Sequence, residues 1–299
     1  DMVVMDADLS ADCGLRPFEN TYPQRFIEGG IAEQDMVSTA GGLALQGMLP
    51  VVNSFGVFLS SRANEQIYNN ATEKTKISYV CHYAGLIPAG PGKSHQSIRD
   101  ISLFGALPNI VSIEPANAVE TKEALKWCVN EAAQSCMMRL AISPSPRTIP
   151  LPDDYQFIPG KGTVVMDGQD AVLFAYGPVM LNEAMVAAET LQEQNVSLKV
   201  VNFPWLNQID EDWFEESVAD CEAVFVLDNH SQFGGLGDQV LNTAQKSDGL
   251  RAKRYMKFAI TEYPACGTPP EVLAYHKLDG KSLAASILET VREQKTTEK

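Results

Sequence analysis

The sequence predicts two α/β domains in tandem, each a doubly wound sheet with helices on both faces, and three observations carry that expectation. Short apolar runs of strand length alternate with longer segments of helical period. A proline-rich stretch, residues 143–152, interrupts the alternation, because proline neither continues a helix nor sits in a central strand. A chain of 299 residues is long enough for two buried cores of ordinary size. The expected division is a first domain over 1–147, a linker over 148–162 and a smaller second domain over 163–299.

In the first domain strands are expected at 2–5, 51–54, 77–83, 111–113 and 137–142, and helices at 33–45, 62–73, 97–106 and 119–133. That order gives a parallel sheet covered on both sides. The second domain repeats it with strands at 171–175, 198–202 and 223–227 and a helix at 181–194, while the polar residues 292–299 read as a frayed tail.

The net charge of −15, with no cluster of Lys or Arg to interrupt it, repels phosphate backbones and anionic lipid, which excludes nucleic acid and membrane surfaces as partners. No apolar run approaches the roughly 20 residues needed to span a bilayer. The opening residues also lack the basic start and apolar middle of a signal peptide, so a cytoplasmic protein is expected. Six cysteines without CxxC spacing suggest reduced thiols and no metal site on this chain. The chain opens on an apolar strand with no methionine before it, which reads as a trimmed N-terminus.

Four segments carry chemistry. The first is Arg25-Phe-Ile-Glu-Gly-Gly-Ile31-Ala-Glu33-Gln, a loop entering the helix that Gly41-Gly42 thins for close packing. Taken alone, Glu33 is an acid complementing the dipole of a first helical turn. The second is Asn53-Ser-Phe55-Gly-Val-Phe58-Leu-Ser-Ser-Arg62-Ala-Asn-Glu-Gln66, whose two phenylalanines read as core in isolation. The third is Gly90-Pro-Gly-Lys-Ser-His95-Gln96-Ser-Ile-Arg-Asp100, followed by Leu107-Pro-Asn and Glu114-Pro-Ala-Asn117. The fourth is Asp228-Asn-His-Ser-Gln-Phe-Gly-Gly-Leu-Gly237, read as interface and packing.

Together these segments resemble the transketolase family. The first three are similar to its thiamine-diphosphate pyrimidine-binding domain, shared with 1-deoxyxylulose-phosphate synthases and the pyruvate dehydrogenase beta subunit. The fourth is similar to the transketolase C-terminal domain. The resemblance implies that Glu33 hydrogen-bonds the aminopyrimidine of thiamine diphosphate, that Phe55 stacks on it, and that Ile31 and Phe58 line its pocket. A carboxyl in a dry pocket holds its proton tightly and can share it with a ring nitrogen, which readies the cofactor's own amine to act as a base.

The same resemblance implies that His95, with Gln96 beside it, meets substrate oxygens, as a group that moves protons near neutral pH. His82 ends a strand about where transketolases place a substrate histidine, although its spacing to His95 is longer by one residue. Asp8 aligns with an aspartate near the pyrimidine, and an aspartate capping its own turn is an equal reading.

The family's Gly-Asp-Gly segment with a downstream Asn, which binds the diphosphate and Mg2+, is missing. The resemblance therefore implies a partner, an N-terminal transketolase subunit carrying that domain, in an α2β2 heterotetramer active in carbohydrate metabolism. The implied reaction transfers a two-carbon ketol unit from a ketose donor. Three departures, Pro91, Ile142 and Asp12, remove groups that would grip a sugar phosphate, with Lys93 or Arg147 as compensating cations. They leave room for a pyruvate-dehydrogenase-like alternative that passes an acyl unit to a lipoyl or acyl-carrier-protein thiol.

Overall fold

The computed structural model describes residues 1–143, 145–246 and 248–297. Pro144 of the proline-rich stretch, Ser247, and the last two residues of the polar tail lie outside the described residues.

The first half runs β1 (Met2–Asp6), α1 (Arg16–Thr21), β2 (Phe26–Glu28), α2 (Glu33–Leu45), β3 (Leu49–Phe55), α3 (Gly56–Arg62), α4 (Asn64–Thr72), β4 (Ser78–His82), α5 (Asp100–Gly105), β5 (Ile110–Ile113), α6 (Ala118–Asn130) and β6 (Ser135–Leu140). Its six strands are all parallel, in the order β2-β1-β3-β4-β6-β5. The chain leaves β1 toward one edge and returns through β3 on the other side. A crevice therefore opens at their carboxyl ends, where such sheets receive ligands.

Two helices differ from expectation. The segment expected as one helix over 62–73 is two, bent at Ala63, and the first begins directly after Phe55 because Leu59 and Ser60 are buried beneath it. The helix expected from 97 starts only at Asp100, since Ser97 exchanges backbone hydrogen bonds with Gly85 instead. Gly41 does allow close packing: a Cβ there would meet the Asn70 side chain at 2.1 Å, whereas Gly42 faces open space.

The second half runs β7 (Thr163–Met166), β8 (Ala171–Ala175), α7 (Gly177–Gln192), β9 (Leu198–Asn202), α8 (Glu211–Val218), β10 (Ala223–Ser231), α9 (Leu236–Ala244), β11 (Arg254–Ile260), α10 (Pro269–Tyr275) and α11 (Gly280–Thr297). The sheet is mixed, ordered β11-β10-β8-β9-β7, with the edge strand β7 antiparallel to β9. The expected frayed tail is helical as far as Thr297. Helix α11 buries Leu283, Ala284, Ile287 and Val291 at helical spacing.

The halves are joined through polar and apolar contacts. The backbone of Ser112 and Glu114 exchanges hydrogen bonds with Leu206 and Pro204, and apolar residues of both sheets share one core with Trp205. Arg139 is completely buried in this seam. It donates to Asp100 at 2.9 Å, to Glu114, and to the carbonyls of Ser97 and Asn229. Burial raises the Glu114 carboxyl to about 7 against the opposing pull of Arg139. Among the described residues no helix is long and apolar enough to cross a membrane.

Candidate active site

The carboxyl ends of β1, β2, β3 and β4 place Asp6, Glu28, Phe55 and His82 along one edge of the sheet, and the loops that follow build the site above them. Helix α2 opens with Glu33, whose side chain is only 4% exposed although it is an acid in a first turn. The Arg62 Nη1 donates to its Oε1 at 2.5 Å, and the Arg62 guanidinium lies 3.8 Å from the centroid of the Phe58 ring. One cation thus neutralises the buried acid and covers an aromatic face, a pairing that partial desolvation strengthens.

Beside this pair stands a cluster of rings. Phe55 is buried, with its centroid 5.5 Å from Phe58, 5.1 Å from Tyr83 and 5.9 Å from His95. His95 is half-buried, presents its edge to Phe55 and Phe58, and has Nδ1 3.0 Å from the Ser94 hydroxyl. Cys13, Leu9, Leu15 and Ile142 complete the apolar wall.

The structure brings Phe55, Phe58 and His95 together and attaches Glu33 to Phe58 through Arg62. Ile31 stands 74% exposed in the loop before Glu33. Asp8 is exposed at φ 62°, and its NH donates to Glu28 at 2.9 Å, which holds it in a turn.

The other expected substrate residues face elsewhere. The Nε2 of His82 is 3.2 Å from the Asn53 side chain, and burial lowers its imidazole to about 4, so it is neutral at physiological pH. Gln96 is buried, and its amide donates to the carbonyls of Leu86 and Ala265, tying the loop to the second half of the chain. Arg147 is engaged by Glu189 and Asn182 of α7. Among the described residues no group of three His, Cys, Asp or Glu is placed to hold a metal ion.

Sequence reasoning missed four neighbours. Glu28 accepts from the NH groups of Asp8 and Gly30, clamping the glycine loop in which Gly30 has φ +68°. Asp6 is fully buried and raised to about 6, chiefly by burial, with the Glu28 charge adding to it. Arg62 was in view only as part of a motif. Tyr83, the next residue after His82, stands in the ring cluster 6.0 Å from His95, and the one-residue excess in the His82 spacing was the signal that could have found it.

The model of the transketolase pyrimidine binding domain matches residues 1–142, and that of the transketolase C-terminal domain matches 160–283. A relative from Methanocaldococcus jannaschii described as "Putative transketolase C-terminal section" is 32% identical over 295 residues, covering 98% of this chain and 91% of its own length. A 1-deoxy-D-xylulose-5-phosphate synthase from Syntrophotalea carbinolica is 30% identical over 96% of this chain, which spans only 44% of that relative. Among solved structures, a split gene transketolase, an inactive beta4 tetramer, shares 30% identity and superposes with a TM-score of 0.86 over 97% of this chain and 92% of its own. With two family models in tandem and a relative matched along nearly its whole length, the chain belongs to the transketolase family and comprises its pyrimidine-binding and C-terminal domains.

Proposed function

We propose that this chain is the C-terminal subunit of a heteromeric, thiamine-diphosphate-dependent transketolase that moves a two-carbon ketol unit from a ketose donor to an acceptor. The observation that carries this reading is the buried Glu33 side chain, tied through Arg62 to an aromatic wall. The split gene relative, an inactive tetramer of one chain type, supports dependence on a second polypeptide. That partner would hold the diphosphate and Mg2+, with two copies of each subunit assembling together and the domain boundary of this chain at 148–162, where the described residues form neither helix nor strand.

The residues present fit the pyrimidine end of the cofactor: an acid for a ring nitrogen, a flat ring for its face, and apolar walls that exclude water. When bound, thiamine diphosphate supplies a nucleophilic carbon and an electron sink. Glu33 would present its carboxyl oxygen to a ring nitrogen, with Arg62 fixing its orientation. Phe55 offers a stacking face with Phe58 beside it, and Ile31, exposed on this chain, would line the pocket from the loop before Glu33. His95 holds hydrogen bonds to substrate oxygens from a ring whose position Phe55 and Phe58 set. Ketol transfer is preferred over delivery to a carrier thiol because the relatives named above are transketolases or a deoxyxylulose-phosphate synthase. Six free cysteines fit a reducing, cytoplasmic setting.

The test is reconstitution with a partner chain that carries the diphosphate-binding domain. The complex is expected to bind thiamine diphosphate and Mg2+ and to turn over a ketose donor, whereas each chain alone does neither. A complex with wild-type turnover after Glu33→Gln would refute the reading.

A further inference from the structure

Tyr83 carries two features that folding alone does not explain. Its backbone sits at φ 59°, a left-handed conformation that an aromatic side chain rarely adopts. The strain turns the chain out of β4 and sets the Tyr83 ring against Phe55 and His95. Its hydroxyl is then buried with no hydrogen-bond partner, although the residue is only 4% exposed. Buried hydroxyls are nearly always satisfied, and an exception calls for a missing acceptor. The wall around it, Cys13, Leu9, Leu15, Phe58 and Ile142, is apolar and supplies none.

Resting on the reading above, we infer that Tyr83 is a specificity-determining residue whose phenol donates a hydrogen bond to an uncharged hydroxyl or carbonyl oxygen of the donor substrate bound beside His95. Burial raises its phenol above the ordinary range, so it remains a neutral donor at physiological pH. A neutral donor in an apolar wall suits an oxygen without charge. A donor with an acceptor at that point gains this hydrogen bond, and a donor without one does not.

The experiment compares the wild-type complex with Tyr83→Phe, reconstituted with the partner subunit, using L-erythrulose and hydroxypyruvate as donor probes. Tyr83→Phe is expected to raise the donor KM about tenfold with kcat held, since one ground-state hydrogen bond is lost. Thiamine diphosphate affinity stays at the wild-type value, and the melting temperature of the free chain is equal or higher, because the lost hydroxyl had no partner to lose. A merely structural tyrosine would move the melting temperature down and leave the donor KM alone. Unchanged donor KM in a complex that binds the cofactor normally overturns the role of Tyr83 only. A complex that binds no cofactor overturns the functional reading and this inference with it.

Discussion

Arg62 Nη1 stands 2.5 Å from the Glu33 carboxylate while its guanidinium plane covers the ring of Phe58. The acid and the aromatic wall, distant in sequence, are therefore linked by a single side chain.

Replacing Glu33 with Gln is expected to lower turnover of the reconstituted complex by about 10²- to 10⁴-fold, the span of a lost proton-transfer group. Arg62→Met should cost less, about tenfold, by loosening the carboxylate and the Phe58 ring together. Because Arg62 is 44% exposed, solvent screens the pair, and either change should alter folding stability by no more than about 1 kcal/mol. Steady-state kinetics alongside urea titration separates the two effects.

Phe55→Leu keeps most of the side-chain volume against Tyr83 and removes the flat face. Stacking is worth about 1 kcal/mol beyond burial, so thiamine diphosphate should bind the complex roughly fivefold to tenfold more weakly. Fluorescence titration with the cofactor checks this, and unaltered affinity would mean that the cofactor stacks elsewhere.

Arg139 is wedged between Asp100 and Glu114 with no exposure to solvent. Arg139→Met strands two buried carboxyls and is expected to destabilise the chain by about 3–5 kcal/mol. Chemical denaturation of the free chain measures it.

His82 and Asp6 give opposite dependences on pH. The folded value for His82, about 4, lies below its ordinary 6.5, so the unfolded chain takes up the proton first. Its contribution is complete above about pH 6.5 and is lost as the pH falls toward 4. The folded value for Asp6, about 6, lies above its ordinary 3.8, so the folded chain takes up that proton first. Its contribution is complete below about pH 4 and is gone once the pH rises past 6. Between those limits the two offset each other. His82→Asn should make stability rise on acidification from pH 6 to 4.5, and Asp6→Asn should make it fall over the same range, both read from denaturation midpoints.

Much of this was legible in the chain itself. Helix α2 announced both of its ends, because Glu33 to Leu45 carry helical spacing between a glycine loop and Gly47. Edge strands were harder. In β11 exposed and half-buried residues alternate, and β7 has four residues, so neither has the continuous apolar run of a central strand. The site was legible where one segment held the whole signal, as with Phe55 and Phe58. It was illegible where partners meet only after folding: Arg62 reaches Glu33 across 29 residues, and Asp6 lies next to Glu28 only through strand register. Tyr83 was overlooked for a different reason. Histidine draws the eye as a proton carrier, yet the turn at φ 59° directs the tyrosine, not His82, to the rings.

The Gln96 amide holds the carbonyl of Ala265, and the Asn229 side chain takes up the NH of Leu86, so the segment bearing His95 is moulded from behind by residues far along the chain. Anyone building chimaeras from related enzymes must therefore transplant Gln96, Asn229 and the Ala265 turn as one set. A donor that brings only the front half will inherit a histidine aimed by someone else's scaffold.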